Sequence, residues 1–481
     1  MTEVWVSKEV FRYDADSLAK AFFPGEVVKN YLLENVSDDI LSAEIRLDEK
    51  TIVIEVEGAA SRSQSDLRNE LKRRIYQSLS DKTGLRLPWG ALTGVRPVRL
   101  ASGLLHEKGN ARAAEEALQE RYFVSEEKAR LAVEIAQRQR EVLLRLHPEA
   151  AYGSVLPSYS LYVGIPFCPS RCSYCSFASY PIEKWRERIG EYLGALEKEL
   201  DFVRELKGEA RPDTIYIGGG TPTALNEEEL EKLLELIAAK IRTTDVIEYT
   251  LEAGRPDSIT REKLRIMKKY GISRICVNPQ TMNNKTLERI GRHHNADNTR
   301  DAFRLAREEG FDNINMDIIL GLPGESEADV KYTLEEIAAL KPDDLTVHSL
   351  ALKRGSILKE EQPVNPSADI SGAVKLAGAA ASDMGLRPYY LYRQKNISGN
   401  LENTGFARPG AEGVYNIVIM EEVQSLIACG AGTVSKRVGT EGKNIRRCDT
   451  PKDIEQYLSR IDEMVERKRE LFMELPQQPH I

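Results

Sequence analysis

Between residue 161 and about residue 352, short apolar runs alternate with longer amphipathic ones. The apolar runs at 161–165, 214–217, 248–252, 274–277, 313–319 and 344–350 read as strands. The amphipathic runs at 185–206, 227–241, 261–270, 296–309 and 327–340 carry apolar positions at helical spacing. Six β-α units in a row predict an α/β fold, a parallel sheet with its helices outside. In parallel α/β folds the chemistry sits at the C-terminal ends of the strands.

The flanks follow other patterns. Residues 1 to about 60 alternate in the manner of strands, with 42–47 and 51–56 flanking Asp48, Glu49 and Lys50 as a hairpin. A charged helical run covers 63–81, and 111–146 reads as two Arg/Glu-rich helices. Residues 148–157, with a proline at each end and Gly153 between, look like a boundary. After about residue 360 come an Ala-rich helix (371–385), an aromatic run (387–394), and a Gly/Asn-rich stretch (400–415) that suggests a loop. Glycines in 427–435 suggest a tight turn, and 451–475 reads as a charged helix. No internal repeat or low-complexity segment is evident.

Composition narrows the class. At 481 residues the chain has room for two or three domains and a sizeable core. Apolar content of 41% and charged content of 30% are ordinary for a globular protein. A net charge of −8 argues against a general nucleic-acid binder. No apolar run reaches the ~18–20 residues of a membrane span, and the first residues lack the layout of a signal peptide. A cytoplasmic location is expected, where a reducing environment keeps thiols free.

The cysteines change the picture. Three of the six fall within eight residues, as Cys168, Cys172 and Cys175 in LYVGIPFCPSRCSYCSF, spaced C-x3-C-x2-C directly after the first strand. Three thiolates on one loop can converge on a metal centre. A structural zinc site closes with four ligands, and no fourth Cys or His lies nearby. A 4Fe–4S cluster is held by up to four thiolates, so three would leave one iron open to a small molecule. The plain alternative is three ordinary cysteines. Cys276, in the apolar run RICVNP, reads as core.

Further candidates stand at strand ends. Gly218, Gly219 and Gly220 precede Thr221 and Pro222 after the second strand, where glycine lets backbone approach a ligand. Glu252 ends the third strand and Gln280 follows the fourth. Arg292 lies in ERIGRHH beside His293 and His294, and Asp317 sits within the fifth strand. Each alone is more often structural. Arg96, Arg99, Arg387, Arg393 and Lys395 are candidate partners for anionic groups, and surface arginines are common.

The cysteine stretch resembles the radical S-adenosylmethionine (radical SAM) superfamily, whose signature is C-x3-C-x2-C after the first barrel strand. YVGIPFC with C-x-Y-C-x-F resembles one branch, the oxygen-independent coproporphyrinogen III oxidases and their relatives. TGVRPVRL (93–100), YYLYRQKN (389–396) and GNLENTGF (399–406) resemble the HemZ-type coproporphyrinogen dehydrogenases, which carry an extra N-terminal domain. Two departures stand out. Gly164 occupies a place where many members have His, and Ser176 and Phe177 stand where the best-characterised oxidases carry a further Cys.

The resemblance implies a partial (β/α)6 radical SAM barrel at 156–365, an N-terminal α+β domain at 1–155 and a C-terminal cap at 366–481. It implies a 4Fe–4S cluster on Cys168, Cys172 and Cys175. It also implies S-adenosylmethionine surrounded by Tyr162, Gly219, Gly220, Thr221, Glu252, Gln280, Arg292 and Asp317, with Tyr162 also catalytic. The implied reaction begins with one-electron reduction and formation of a 5′-deoxyadenosyl radical. Oxidative decarboxylation of coproporphyrinogen III to protoporphyrinogen IX follows. The alternatives are a haem chaperone, a radical methyltransferase or a haem-degrading enzyme on the same scaffold. The implied partners are a tetrapyrrole and an electron donor such as flavodoxin or ferredoxin, with the chain a monomer.

Overall fold

The computed structural model describes residues 2–24, 26–34, 36–47, 50–208, 210–351, 356–358, 370–394, 401–439 and 444–473. The chain divides into two compact units, 1–138 with 391–403, and 139–390 with 404–481.

The first unit holds a four-stranded sheet. Its strands are β1 (Thr2–Val6), β2 (Val28–Leu32), β3 (Ile40–Leu47) and β4 (Lys50–Glu57), in the order β2-β1-β3-β4. β1 runs parallel to β2 and antiparallel to β3, and β3 and β4 form the expected hairpin. Asp48 and Glu49 of its turn lie outside the described residues. The reading of 1–60 as strands throughout fails at Arg12–Phe22, which is a helix. Ala15, Leu18, Ala19 and Phe22 bury one stripe at helical spacing, and that period outweighs any alternation. The charged helix runs Gln64–Thr83, with the Ser63 side chain accepting from the Asp66 N–H at its start. Both helices pack on Val4, Ile45, Ile54 and Val56 of the sheet. Pro97 opens a helix to Lys108, a position where its missing N–H costs nothing. It shares a second core with Trp89 and the helices Ala111–Tyr122 and Glu126–Leu146.

In the second unit the expected strands appear in order as β5 (Tyr159–Ile165), β8 (Thr214–Gly219), β9 (Glu248–Glu252), β10 (Arg274–Cys276), β11 (Ile314–Leu320) and β12 (Asp344–Ser349). Between β5 and β8 lies a short parallel pair, β6 (Phe167–Cys168) and β7 (Tyr180–Pro181). The six main strands are neighbours in chain order and all parallel. The α/β reading with its six-strand core holds, and the helices 189–207, 227–240, 261–269, 296–308 and 327–340 return the chain between strands. Outward positions such as Val163, Ile217, Leu251, Ile275 and Met316 pack under these helices. Inward positions are polar and bond one another across the sheet. Thr214 donates to Ser160 (2.8 Å), Arg274 to Asp344 (2.7 Å) and Thr346 to Asn315 (3.1 Å).

The segments after residue 385 join the same sheet. They add β13 (Arg387–Tyr392), β14 (Asn403–Ala407), β15 (Ser425–Cys429), β16 (Val434–Arg437) and β17 (Arg446–Asp449). The order is β13-β14-β12-β11-β10-β9-β8-β5-β15-β16-β17, so β5 and β12 are flanked by other strands rather than by each other. The loop expected over 400–415 is therefore partly a strand. Gly405 misled that reading: a Cβ there would stand 1.9 Å from the Tyr390 ring, so the glycine serves a close approach rather than a turn. The terminal helix is two, Ile454–Ser459 and Ile461–Met473.

Candidate functional site

Pro166 ends β5, and its carbonyl accepts from the Tyr180 N–H (2.8 Å), so the β6–β7 pair closes the neck of the cysteine loop. The Cys175 N–H turns back to the Cys172 carbonyl (3.1 Å). The loop is stitched to the segment after β10 by the Ser173 N–H on the Ile290 carbonyl (3.0 Å) and the Ser170 hydroxyl on the Gly291 carbonyl (3.2 Å). All three thiols are free. Thr221 donates to the Cys168 sulfur (3.6 Å) and Arg255 to the Cys172 sulfur (3.8 Å). Burial pushes the Cys168 thiol up to about 12 and raises Cys175 as well.

β8 runs out through Gly218 to Gly220 directly beside this loop. The Gly220 N–H bonds the Ile165 carbonyl and the Thr221 N–H bonds the Phe167 carbonyl, each at 2.7 Å. A Cβ at Gly220 would lie 2.5 Å from the Phe167 carbonyl oxygen, so only glycine permits this approach. Next along the sheet, Glu252 receives the Tyr216 hydroxyl at 2.5 Å. Enclosed by protein yet open to the cleft, its carboxyl is pushed up to about 7, chiefly by burial against the opposing Tyr216 hydrogen bond.

Gln280 sits at φ 68°, a backbone state that costs a non-glycine residue free energy. Its N–H bonds the Asp317 carbonyl and its own carbonyl accepts from Ile319, both at 2.9 Å. Asp317 takes the Asn315 amide at 2.8 Å and faces His348 at 3.6 Å. Burial favours its neutral form, but His348 and its hydrogen bonds prevail and hold the carboxyl below its usual value. Arg292 is buried and donates to the Asn278 and Pro279 carbonyls. Of the two histidines after it, His293 is exposed and His294 is buried, 3.7 Å from Asp257.

Beside these strand ends is a cavity of about 250 Å³, lined among others by Tyr162, Gly164, Gly219, Tyr415, Thr433 and Lys436. Tyr162 and Tyr415 line it and stack with Tyr216, the ring centroids lying 4.4–6.3 Å apart. Residues 415–436 thus supply part of the wall. The cation lining it is Lys436, which pairs with Glu422 at 3.6 Å. Arg393, a candidate from the sequence, is instead held inside the first unit, donating to the Leu92 carbonyl (2.6 Å) over the Trp89 ring. Lys395 lies outside the described residues. Tyr216 was passed over in the sequence, although it shares the inward face of its strand with Gly218. Tyr415 and Lys436 carried no signal, because no local pattern joins the C-terminal segment to β5.

The Radical SAM superfamily model matches residues 162–337. The chain is 40% identical over 84% of its length to the oxygen-independent coproporphyrinogen-III oxidase-like protein HemZ of Bacillus subtilis, covering 80% of that protein. The chain belongs to the radical SAM superfamily, in its oxygen-independent coproporphyrinogen-III oxidase-like family. It is also 31% identical to the heme chaperone HemW of Bacillus subtilis, over 60% of this chain and 73% of that one. The coproporphyrinogen III oxidase HemN of Escherichia coli shares the fold, with a TM-score of 0.52 at 23% identity over 66% of this chain and 71% of that chain.

Radical SAM enzymes use a 4Fe–4S cluster and S-adenosylmethionine. The residues present fit both. Among the described residues no three His, Cys, Asp or Glu side chains close round a single ion. A cluster spreads its thiolates over separate irons, and iron offsets the burial that otherwise disfavours the Cys168 thiolate. Arg292 Nε, Gln280 Oε1 and Asn278 Oδ1 are buried without a protein partner, which is how polar groups stand where a polar ligand completes them. Among the described residues no helix is long and apolar enough to cross a membrane.

Proposed function

We propose that this radical SAM enzyme oxidatively decarboxylates propionate arms of coproporphyrinogen III or a closely related reduced tetrapyrrole, giving protoporphyrinogen IX. The observation that carries the reading is the cavity at the strand ends, which brings Tyr162 and Gly219 together with a cation, Lys436. At about 250 Å³ it is smaller than the ~300–1,000 Å³ of sites that engulf a whole ligand, so it suits one arm of a macrocycle, carboxylate toward Lys436.

The bound cluster and S-adenosylmethionine together supply a hydrogen-abstracting radical after one-electron reduction. Cys168, Cys172 and Cys175 hold the cluster in this reading. Gly219, Gly220 and Thr221 offer backbone to the amino-acid end of S-adenosylmethionine, and the unmatched donor of Arg292 meets its carboxylate. Glu252, Gln280 and Asp317 accept from its amine or hydroxyls. Tyr162, at the border of the arm cavity, orients the reacting carbon and excludes water. A flavodoxin or ferredoxin supplies the electron to a cytoplasmic monomer.

The test is anaerobic incubation of the reconstituted protein with reductant, S-adenosylmethionine and propionate-labelled coproporphyrinogen III. Labelled CO2 with protoporphyrinogen is expected. Arg292→Ala should retain iron and lose S-adenosylmethionine cleavage. The similarity to heme chaperones gives a second reading its own signature. Tight stoichiometric haem binding with no labelled CO2 would replace the decarboxylase reading with delivery.

A further inference from the structure

Arg255 is a buried guanidinium, 2% exposed, in the turn after β9. Its Nε and Nη2 each bond one oxygen of Asp257 at 3.0 Å, which fixes the plane of the fork. That leaves Nη1 aimed at the cysteine loop, where it reaches the Ser170 hydroxyl (3.0 Å), the Ser170 carbonyl (3.4 Å) and the Cys172 sulfur (3.8 Å). A neutral thiol is a weak acceptor. A strong cationic donor, oriented by its own carboxylate, matches a thiolate instead. The surroundings sharpen the point. The buried Arg292 guanidinium also acts electrostatically on Cys172, so one sulfur of the loop faces two buried guanidiniums. Among the described residues, the side-chain donor to Cys168 is the hydroxyl of Thr221.

We propose that Arg255 is a positioning and tuning residue, whose charge and hydrogen bond at Cys172 raise the reduction potential of the 4Fe–4S cluster. This rests on Cys172 being a cluster ligand. Reduction adds negative charge to the cluster, and a fixed cation at one ligand sulfur favours the reduced form. Hydrogen bonds to sulfur, net charge and solvent exposure are the terms that set such potentials.

The experiment measures iron and sulfide content, then the midpoint potential by EPR-monitored redox titration, for the parent, Arg255→Gln and Arg255→Lys. The equilibrium constant for one-electron reduction should fall at least tenfold in Arg255→Gln, a drop of about 59 mV. Arg255→Lys keeps the charge and should stay within threefold of the parent. A parent that binds no cluster overturns the ligand assignment itself. A parent that binds the cluster while Arg255→Gln leaves the potential unchanged overturns only the tuning role, as does a Lys variant that shifts as far as Gln. Should Arg255→Gln fail to take up iron, the Lys variant decides. Loading with a near-parental potential supports the proposal, and failure to load makes Arg255 a strut of the loop.

Discussion

Glu199 and Glu252, both in the second unit, are treated in opposite ways. Glu199 lies behind β15. It takes the Tyr457 hydroxyl and the Gly430 N–H at 2.6 Å each and pairs with buried Lys468, which also donates to the Ala428 carbonyl. Glu252, at the end of β9, has no cation bonded to it among the described residues. Its hydrogen-bond partner is the Tyr216 hydroxyl, and Gln280 Oε1 and Arg292 Nε, near the same end of the sheet, are buried with no protein partner. Burying a charge is costly unless it is paired. Where the protein itself completes the pairing, the group is architecture, here fastening the last helix to the turn that walls the cavity. Where it does not, the missing partners describe a ligand.

The cysteine loop breaks the comparison most completely, because the partner proposed for it is the cluster. Anaerobically reconstituted protein should carry about four iron per chain. Cys168→Ala, Cys172→Ala and Cys175→Ala should each abolish it, while Cys276→Ala, on the inner face of β10, should not. Stoichiometric zinc without visible absorption would refute this. On the architectural side, Lys468→Met strands Glu199 as an unpaired buried charge and should cost about 3–5 kcal/mol in urea unfolding. A cost near zero would mean that the Glu199 pocket admits water.

The same contrast explains what the chain disclosed in advance. The six core strands and their return helices were legible because each writes its own period into adjacent residues. The cysteine spacing and the glycine run were legible because their chemistry is local. The polar residues of the inner face were visible one by one, but nothing in the sequence told Glu252, which lacks a protein cation, from Glu199, which has one 269 positions away in Lys468. The strands β14 to β17 escaped for the same reason. β14 and β15 pair with β12 and β5, far off in sequence, β16 and β17 follow β15 outward, and Gly405 looks like a loop residue until Tyr390 is seen lying against it.

Glu252 sharpens the comparison through pH. Its carboxyl titrates near 7 in the fold, above the ordinary glutamate value, so the native state holds a proton the unfolded chain releases. Without ligand the penalty is absent below about pH 4.5, grows as pH rises through 7, and is complete above it. At ~1.4 kcal/mol for each pH unit of displacement it reaches roughly 3 kcal/mol. Glu252→Gln removes the charge at constant shape. The variant should match the parent at pH 4.5 and be more stable than it by a few kcal/mol at pH 8. Parallel pH profiles would show that Glu252 is solvated in the cleft.

Gly164 sits where the two regions touch, and it offers the smallest and most local test. Its carbonyl accepts the Tyr192 hydroxyl at 2.7 Å, and that hydroxyl in turn receives the Ala431 N–H at 3.0 Å, on the architectural side. Its other face borders the cavity. A Cβ added there would stand 2.6 Å from the Thr433 methyl carbon and 3.3 Å from the Cys429 carbonyl oxygen. Thr433 therefore fills the space that a side chain at position 164 would need, which gives a physical reason for the glycine there. Thr433 cannot swing aside freely, because its hydroxyl donates to the Gly430 carbonyl at 2.8 Å. Gly164→Ala should cost about 1–3 kcal/mol, the usual range for an overpacked core. Thr433→Ser keeps the hydroxyl and deletes the methyl group, so Gly164→Ala in that background should recover most of the loss. If the double variant is as unstable as Gly164→Ala alone, the Cys429 carbonyl rather than Thr433 sets the limit. The glycine then belongs wholly to the architecture and not to the cavity.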